Sequence, residues 1–523
     1  MIRTTLFFMN TSSPINKRDG EHISAWQNIE VLATATDENN VEESCDTLIV
    51  GAGITGLTTG LLLQQRGQRC IIVDAQNPGY GTTGGTSAHL NTFLDSSYPE
   101  IDSDFGEEAS KQMAKASAAM IALIKKNIDD FGIDADFEYK KGYLFAQNDE
   151  ESKTLSEILS SSKKAGVIVS EADTNDLPID FQSSLCFEQQ AQFHPLKYIK
   201  GIADEFIRLG GKIFTETFIE ENTFENGIHH SKSAKRSFVS KNLVYATHIS
   251  PGVNILSLRN APYRSYIFAV KLKGETYPEH LSYDLKEPYH YFRSHVLDGQ
   301  KLLLIGGADH KTGHEEPEKA FEELESYVRT YFDVEEIAYR WSSQYYVPVD
   351  GLPYIGQLPG GDPATYVATG FNGNGMILGS LSATIIADLI TEQKNEYSEL
   401  LSPARLKPVA GFSEFVKENA DVAYRFVADR FGSELKNGIA ELEAGDGKIL
   451  KVDDKKLAVY KDDSGKVTGL NPVCTHAGCI VHFNREEKSW DCPCHGARYD
   501  IEGNVVTGPA RKNLEKISLE APE

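Results

Sequence analysis

Two short segments toward the C-terminal end, Cys474-Thr-His476 and Cys492-Pro-Cys-His495, are separated by residues 477–491. Each offers one thiolate and one imidazole, and a centre that collects all four donors pins two loops of the chain against one another. Two thiolates suit one iron while two neutral imidazoles suit a second; a tetrahedral zinc site accepts the same donors and stands as the alternative. Zinc-finger spacing pairs Cys with Cys and His with His, whereas each loop here mixes the two, which favours iron. From about residue 436 the surrounding chain reads as short strands between Gly and Asp turns, as in Ala458-Val-Tyr460, Lys466-Val-Thr468 and Asn504-Val-Val506. That is the pattern of a small all-β module.

In every ligand the arrangement resembles the Rieske family. The resemblance implies a [2Fe-2S] cluster held by Cys474, His476, Cys492 and His495. Cys479 and Cys494 complete Cys-Thr-His-Ala-Gly-Cys and Cys-Pro-Cys-His-Gly, similar to the disulfide-bearing subgroup typified by respiratory and photosynthetic Rieske proteins. That likeness implies a bridge between them; two free buried thiols are the alternative in a reducing compartment. Ala497 stands where high-potential members place a Ser that donates to a cluster sulfur, while Tyr499 retains the other donor. One donor fewer places the expected potential in the lower or middle part of the family range of about −150 to +300 mV.

A second motif lies far upstream. Asp46-Thr-Leu-Ile-Val50 runs into Gly51-Ala52-Gly53-Ile54-Thr55-Gly56 and a helical pattern through Leu57, Leu61, Leu62 and Leu63. Cys70-Ile-Ile-Val-Asp74 follows, ending in a carboxylate 23 positions after Gly51. In this strand, turn, helix, strand and acid context the glycines admit a pyrophosphate, the helix N-terminus favours its charge, and the acid accepts ribose hydroxyls. Asp74 alone is also compatible with a helix cap or a solvated strand end. Val244-Tyr-Ala-Thr247, Asp350-Gly-Leu-Pro-Tyr-Ile-Gly356 and Ala368-Thr-Gly-Phe-Asn-Gly-Asn-Gly-Met376 resemble segments of the D-amino acid oxidase and glycine oxidase superfamily. That resemblance covers about residues 45–395 and implies FAD rather than a nicotinamide. It places Gly370, Gly375 and Met376 at the flavin's pyrimidine edge, and Thr86, Ser87 and Ala88, within the Thr82 to His89 loop, beside the isoalloxazine. An ordinary surface loop is the alternative for those three.

The two resemblances together predict an α/β Rossmann-like FAD-binding domain with an α+β substrate domain, plus a C-terminal all-β Rieske domain. The expected layout is an N-terminal extension over 1–44, the FAD-dependent oxidoreductase over 45–395, a helical connector over 396–435 and the Rieske domain over 436–523. FAD-binding segments are expected at about 45–100, 190–260 and 345–395, and substrate-side segments at about 135–190 and 260–345. Residues 106–131 predict an amphipathic helix with Met113, Met120, Ile121 and Ile124 inward. Residues 10–40 are polar and without period, and read as a loose extension with no function, Met9 offering a second start.

With 52 basic and 76 acidic side chains the formal charge is −24, which disfavours nucleic acid and anionic lipid as partners. No apolar run approaches the roughly 20 residues of a membrane span, so a soluble, cytoplasmic protein without a transmembrane segment is expected. Four of the seven cysteines fall between 474 and 494, and Cys45, Cys70 and Cys186 are expected as buried small hydrophobes.

Superfamily likeness implies oxidation of an amine or amino acid by hydride transfer to the flavin, with catalysis resting on positioning. A substrate carboxylate would call for an arginine, and Arg264 and Arg293 fall in the substrate-side region. His89 and His310 are further candidates, each also compatible with a structural role. Both motifs on one chain predict a dehydrogenase that reduces FAD by two electrons and passes them singly through the cluster to an external protein or quinone. A reductase running in the opposite direction and a redox-responsive regulatory protein are the alternatives.

Overall fold

The computed structural model describes residues 18–29, 31, 41–314, 316–406, 417–422, 424–425, 439–452 and 455–519. Most of the connector expected over 396–435, with residues 1–17 and the alternative start at Met9, lies outside the described residues.

The β-branched run ending at Val50 extends as strand Val41–Val50 and pairs in parallel with Cys70–Val73 on one side and Arg236–Tyr245 on the other. With Lys212–Phe214, Thr365–Thr369 and an antiparallel Tyr354–Gln357 at the edge it forms the Rossmann-like sheet. Its centre is apolar where helices cover it, at Leu48, Ile49 and Val50, Cys70–Val73, and Leu243, Val244 and Tyr245. Helix Ile54–Gln65 lies against helix Gly375–Ile390, and the amphipathic pattern at 106–131 is helix Glu107–Phe131 with Met113, Met120, Ile121 and Ile124 buried.

A nine-stranded, mostly antiparallel sheet forms the second layer, running from Val334–Pro348 through Asn260–Leu272, Gln300–Lys311, Tyr291–Leu297, Leu281–Asp284, Glu138–Ala146 and Ser183–Gln192 to His89–Leu90. The C-terminal module is all β: two antiparallel four-stranded sheets, Asp446–Val452, Lys455–Lys461, Val467–Leu470 and Lys516–Ile517 in one, and His482–Asn484, Ser489–Asp491, Arg498–Asp500 and Val505–Thr507 in the other. No described helix is long and apolar enough to cross a membrane.

The expectation of a loose N-terminal extension is corrected for its described residues, 18–29 and 31. Trp26 is fully buried, its indole N–H donating to Thr86 O at 2.7 Å, and Ser24 Oγ donates to Gly84 O at 2.6 Å. Arg18 and Asp19 are also buried, at the junction with the C-terminal module. These contacts have no period of their own, because the segment borrows partners from 60 to 479 residues further along the chain.

Candidate functional site

The cleft between the two large sheets opens at the glycine turn. Gly51, Gly53, Ile54, Thr55 and Asp74 line it, as do Thr86, Ser87, Gly375 and Met376. Gly51 has φ +108, and a Cβ there would lie 2.4 Å from Ala246 O; one on Gly56 would lie 1.9 Å from Gly51 O. Neither Gly51 nor Gly56 therefore admits a side chain, which leaves the backbone of the turn bare toward the cleft at Gly51. Ala52 and Gly56 sit behind that surface, where Ala52 N–H donates to Asp74 Oδ2 at 2.7 Å. Burial raises Asp74 to about 6 against that hydrogen bond and one from Gln76 N–H. A half-buried carboxylate at the strand end, with one backbone N–H on each oxygen, fits the ribose hydroxyls of a dinucleotide. Ala88 and Gly370 do not line the cleft: the Ala88 carbonyl accepts from Arg293 at 2.8 Å, and Gly370, at φ +75, fits against Asn260 and Pro348. Thr217, Phe218, Ile219 and Tyr245, near Asp74, and Val505 to Gly508 with Arg511 from the C-terminal module complete the lining. Of these, only Tyr245 belongs to a motif, Val244-Tyr-Ala-Thr247.

On the side of the nine-stranded sheet the cleft is walled by Tyr283, Tyr289, Tyr291 and Tyr345 with His89, Asp95 and Asp309. Asp95 Oδ2 accepts from Gly373 N–H at 2.6 Å, and Asp309 Oδ2 accepts from Tyr345 Oη at 2.8 Å. Asp95 is exposed at the cleft and Asp309 half-buried in its wall, and desolvation raises Asp95 to about 6 and Asp309 to about 7. Burial, and then the charge of Arg293, lowers His89 to about 3, so this ring is neutral at pH 7.

Neither arginine expected to meet substrate reaches the cleft. Arg293 is fully buried and donates to Ser87 O and Phe193 O, bracing the loop beside the cleft rather than lining it. Arg264 points the other way, donating to Ser342 Oγ at 2.6 Å and pairing with Glu487 at 3.6 Å. The strand that carries it has one face on the cleft and one on the C-terminal module, and its side chain takes the second. His310 is likewise outside the cleft, stacked on Tyr266 with its Nε2 2.8 Å from that hydroxyl.

The C-terminal loops converge as their spacing predicts. Cys474 and Cys492 are buried, and the rings of His476 and His495 face one another with centroids 4.8 Å apart. Both His495 ring nitrogens are buried with no hydrogen-bond partner. Orphaned imidazole nitrogens beside two thiols are a donor set waiting for metal, which fits a mixed Cys/His cluster. Cys479 and Cys494 form a disulfide between the two loops, so the close sulfur trio of Cys479, Cys492 and Cys494 offers only one free donor. Tyr499 Oη lies 3.2 Å from Cys474 Sγ, and Ala497 is buried without a donor to give.

One strand joins the two sites. Along Val334–Pro348 successive side chains alternate between faces. Trp341 donates to Gly85 O, Ser343 lines the cleft and Tyr345 holds Asp309. On the opposite face Arg340 meets Glu486, Ser342 meets Glu487, Gln344 donates to Gly496 O at 3.0 Å and Tyr346 donates to His495 O at 3.1 Å. At the edge of that contact three arginines and three carboxylates are buried together. Arg18 lies 4.0 Å from Glu487 and 3.1 Å from Asp19, Arg264 lies within 4.0 Å of Glu487 and Asp491, and Arg498 reaches Asp491 at 3.1 Å and Asp19 at 3.4 Å.

Residues 46–389 match the family described as FAD dependent oxidoreductase, and residues 437–518 match the Rieske [2Fe-2S] domain. YhfW of Bacillus subtilis (strain 168), described as a Rieske 2Fe-2S iron-sulfur protein, is 31% identical over 485 residues, covering 92% of this chain and 94% of its own. Gamma-glutamylputrescine oxidoreductase of Escherichia coli (strain K12) is 22% identical, covering 68% of this chain and 85% of its own. The crystal structure of glycine oxidase from Geobacillus kaustophilus superposes with a TM-score of 0.59 at 18% identity, over 70% of this chain and 99% of that one, which establishes the shared fold.

Proposed function

The chain belongs to the FAD dependent oxidoreductase family and carries a Rieske [2Fe-2S] domain after it, and from that membership we propose an amine or amino acid dehydrogenase with a built-in electron relay. Its cofactors are FAD and a [2Fe-2S] cluster. When bound, FAD accepts a hydride from the carbon bearing the amine, whose nitrogen loses a proton to leave a C=N bond for water to cleave, and the cluster hands the two electrons singly to an external acceptor. Gly51, Gly53 and the N-terminus of helix Ile54–Gln65 would hold the pyrophosphate and Asp74 the ribose, with Thr86, Ser87, Gly375 and Met376 along the flavin ring. Cys474, His476, Cys492 and His495 would hold the cluster, with Cys479–Cys494 clamping their loops.

The observation that carries the reading is the alternation along Val334–Pro348. Ser343 and Tyr345 face the flavin cleft while Gln344 and Tyr346 bind the carbonyls of Gly496 and His495, in the second cluster loop. A single strand thus separates the two redox sites, which favours transfer within one molecule. Electrons then leave from the module to a one-electron acceptor of protein or quinone type.

The test is an anaerobic mixing experiment on the purified holoprotein. Glycine, sarcosine, proline, D-amino acids and diamines are added in turn, with NADH and NADPH as comparators. Bleaching of the flavin band by an amine, followed by the electron paramagnetic resonance signal of the reduced cluster, is the expected result. Bleaching by NADPH alone would replace the proposal with a reductase.

A further inference from the structure

Resting on the amine-oxidising reading, we propose that the substrate is a carboxylate-free cationic amine of the diamine class, gripped by Asp95 and Asp309 within the tyrosine-walled part of the cleft.

Three independent features of the cavity lead there. The first is what the wall offers. Asp95 comes from the loop after strand His89–Leu90 and Asp309 from strand Gln300–Lys311, so two elements far apart in the chain bring their carboxyls to one space. Asp95 is fixed by Gly373 N–H and Asp309 by Tyr345 Oη, so neither can swing away from the cleft without losing a hydrogen bond. The partners of Asp309 are hydroxyl groups, Tyr345 and Ser265, and among the described residues no cation pairs with it. An ammonium group on a ligand supplies the opposite charge that neither hydroxyl gives.

The second feature is what the wall lacks. Among the described residues lining the cleft there is no lysine, and the one arginine, Arg511, lies on the C-terminal module, where its guanidinium donates to Tyr245 Oη and Pro251 O. A substrate carboxylate on the tyrosine side would meet two acids and a neutral His89. Arg264 and Arg293 do not rescue it, since both are turned into other parts of the protein.

The third feature is the shape of the remaining surface. Tyr283, Tyr289, Tyr291 and Tyr345 present four aromatic rings around the same space. Aromatic faces attract cations and give aliphatic carbons an apolar wall. Carboxylates with tyrosines between them thus suit two ammonium groups joined by a short alkyl chain, one amine at the reacting carbon and the other as the anchor. The acidic chain as a whole, at −24, adds long-range attraction for such a dication.

The experiment compares 1,4-diaminobutane with n-butylamine, glycine and sarcosine as anaerobic reductants of the holoprotein, following the flavin band. The expected result is bleaching by 1,4-diaminobutane at a half-saturating concentration at least tenfold below that of n-butylamine, with no bleaching by glycine or sarcosine. Asp309→Asn and Asp95→Asn should each raise the diamine's half-saturation tenfold or more and shrink its advantage over butylamine. A binding readout without turnover accompanies it: tetramethylammonium should perturb the oxidised flavin spectrum of the wild type, acetate should not, and both Asn variants should weaken the perturbation. Bleaching by glycine or sarcosine at lower concentration than the diamine would overturn the dication assignment while leaving amine oxidation intact. Bleaching by NADPH alone would overturn the amine reading itself.

Discussion

Tyr499 holds its hydroxyl 3.2 Å from Cys474 Sγ and also accepts from Thr475 N–H at 3.0 Å, while Ala497 is buried with only a methyl to present. A hydrogen bond to a ligand or sulfide of the cluster favours the more negative, reduced state. Hydrogen bonds to charged groups contribute about 1.5–3 kcal/mol, and for a one-electron couple 1.4 kcal/mol corresponds to about 59 mV. Ala497→Ser should therefore raise the midpoint potential by roughly 60–130 mV and Tyr499→Phe should lower it by a similar amount, measured by redox titration of the cluster signal. A serine variant that leaves the potential unchanged would mean that no sulfur lies within its reach. At this scale the sequence is most readable where chemistry demands a residue type at fixed spacing, as for Cys474, His476, Cys492, His495 and the Gly51 turn. It is silent where chemistry needs only a charge at some point in space. Asp95 and Asp309 sit in no motif, and Arg264 and Arg293 looked suited to substrate because their true partners, Glu487 and the Ser87 carbonyl, are more than 200 residues away in the chain.

A strand with a functional site on each face has no solvent side, and Val334–Pro348 shows this in the burial of Trp341, Ser342, Ser343, Gln344 and Tyr346. Gln344 and Tyr346 hold the cluster loop by two hydrogen bonds, and a Cβ on Gly496 would come within 2.9 Å of Pro262, Gln344 and Tyr346. The loop is thus seated directly on the strand. Replacing Gln344 by Ala together with Tyr346 by Phe removes both bonds without touching the cleft face. Flavin bleaching by substrate should persist, while the following reduction of the cluster slows by about tenfold or more, equivalent to some 1.4 kcal/mol in the transfer barrier. Rapid freeze-quench of the cluster signal distinguishes the two steps, and equal slowing of both would show that the strand acts on the cleft as a whole. The strands and the long helix were legible because periods of 2 and 3.6 mark a buried face. Which body covers that face is a matter of tertiary contact, and the alternation along 340–346 does not reveal that its even positions meet residues about 145–150 further on.

Three segments of the chain meet at the six buried charges, and their arrangement bears on whether the Rieske module moves. The N-terminal segment supplies Arg18 and Asp19, the nine-stranded sheet Arg264, and the module Glu487, Asp491 and Arg498. Opposite charges balance, but a buried network of this kind tolerates the loss of a member badly: an uncompensated buried charge costs about 3–5 kcal/mol. Glu487→Gln should therefore destabilise the docked arrangement by up to that amount, seen as a lower denaturant midpoint for loss of flavin-to-cluster transfer than for loss of flavin binding. The pH dependence carries the same argument. Burial alone would raise Glu487 and Asp491, yet Arg18, Arg264 and Arg498 around Glu487, and Arg498 and Arg264 around Asp491, hold both below ordinary carboxylate values. A carboxylate whose folded value is depressed contributes its stability above the unfolded value, about 4 for these groups, and loses it as pH falls through the lower folded value. Docking should accordingly be constant from about pH 7 to 5 and fail below about pH 4, as protonation of Glu487 and Asp491 removes two of the three carboxylates that face the buried guanidinium groups. Small-angle scattering across this range should record an increase in radius on acidification before the flavin sheet unfolds, and Glu487→Gln should move that increase to higher pH. An unchanged radius down to the point of global unfolding would mean that the strand contacts, not the charges, fix the module in place.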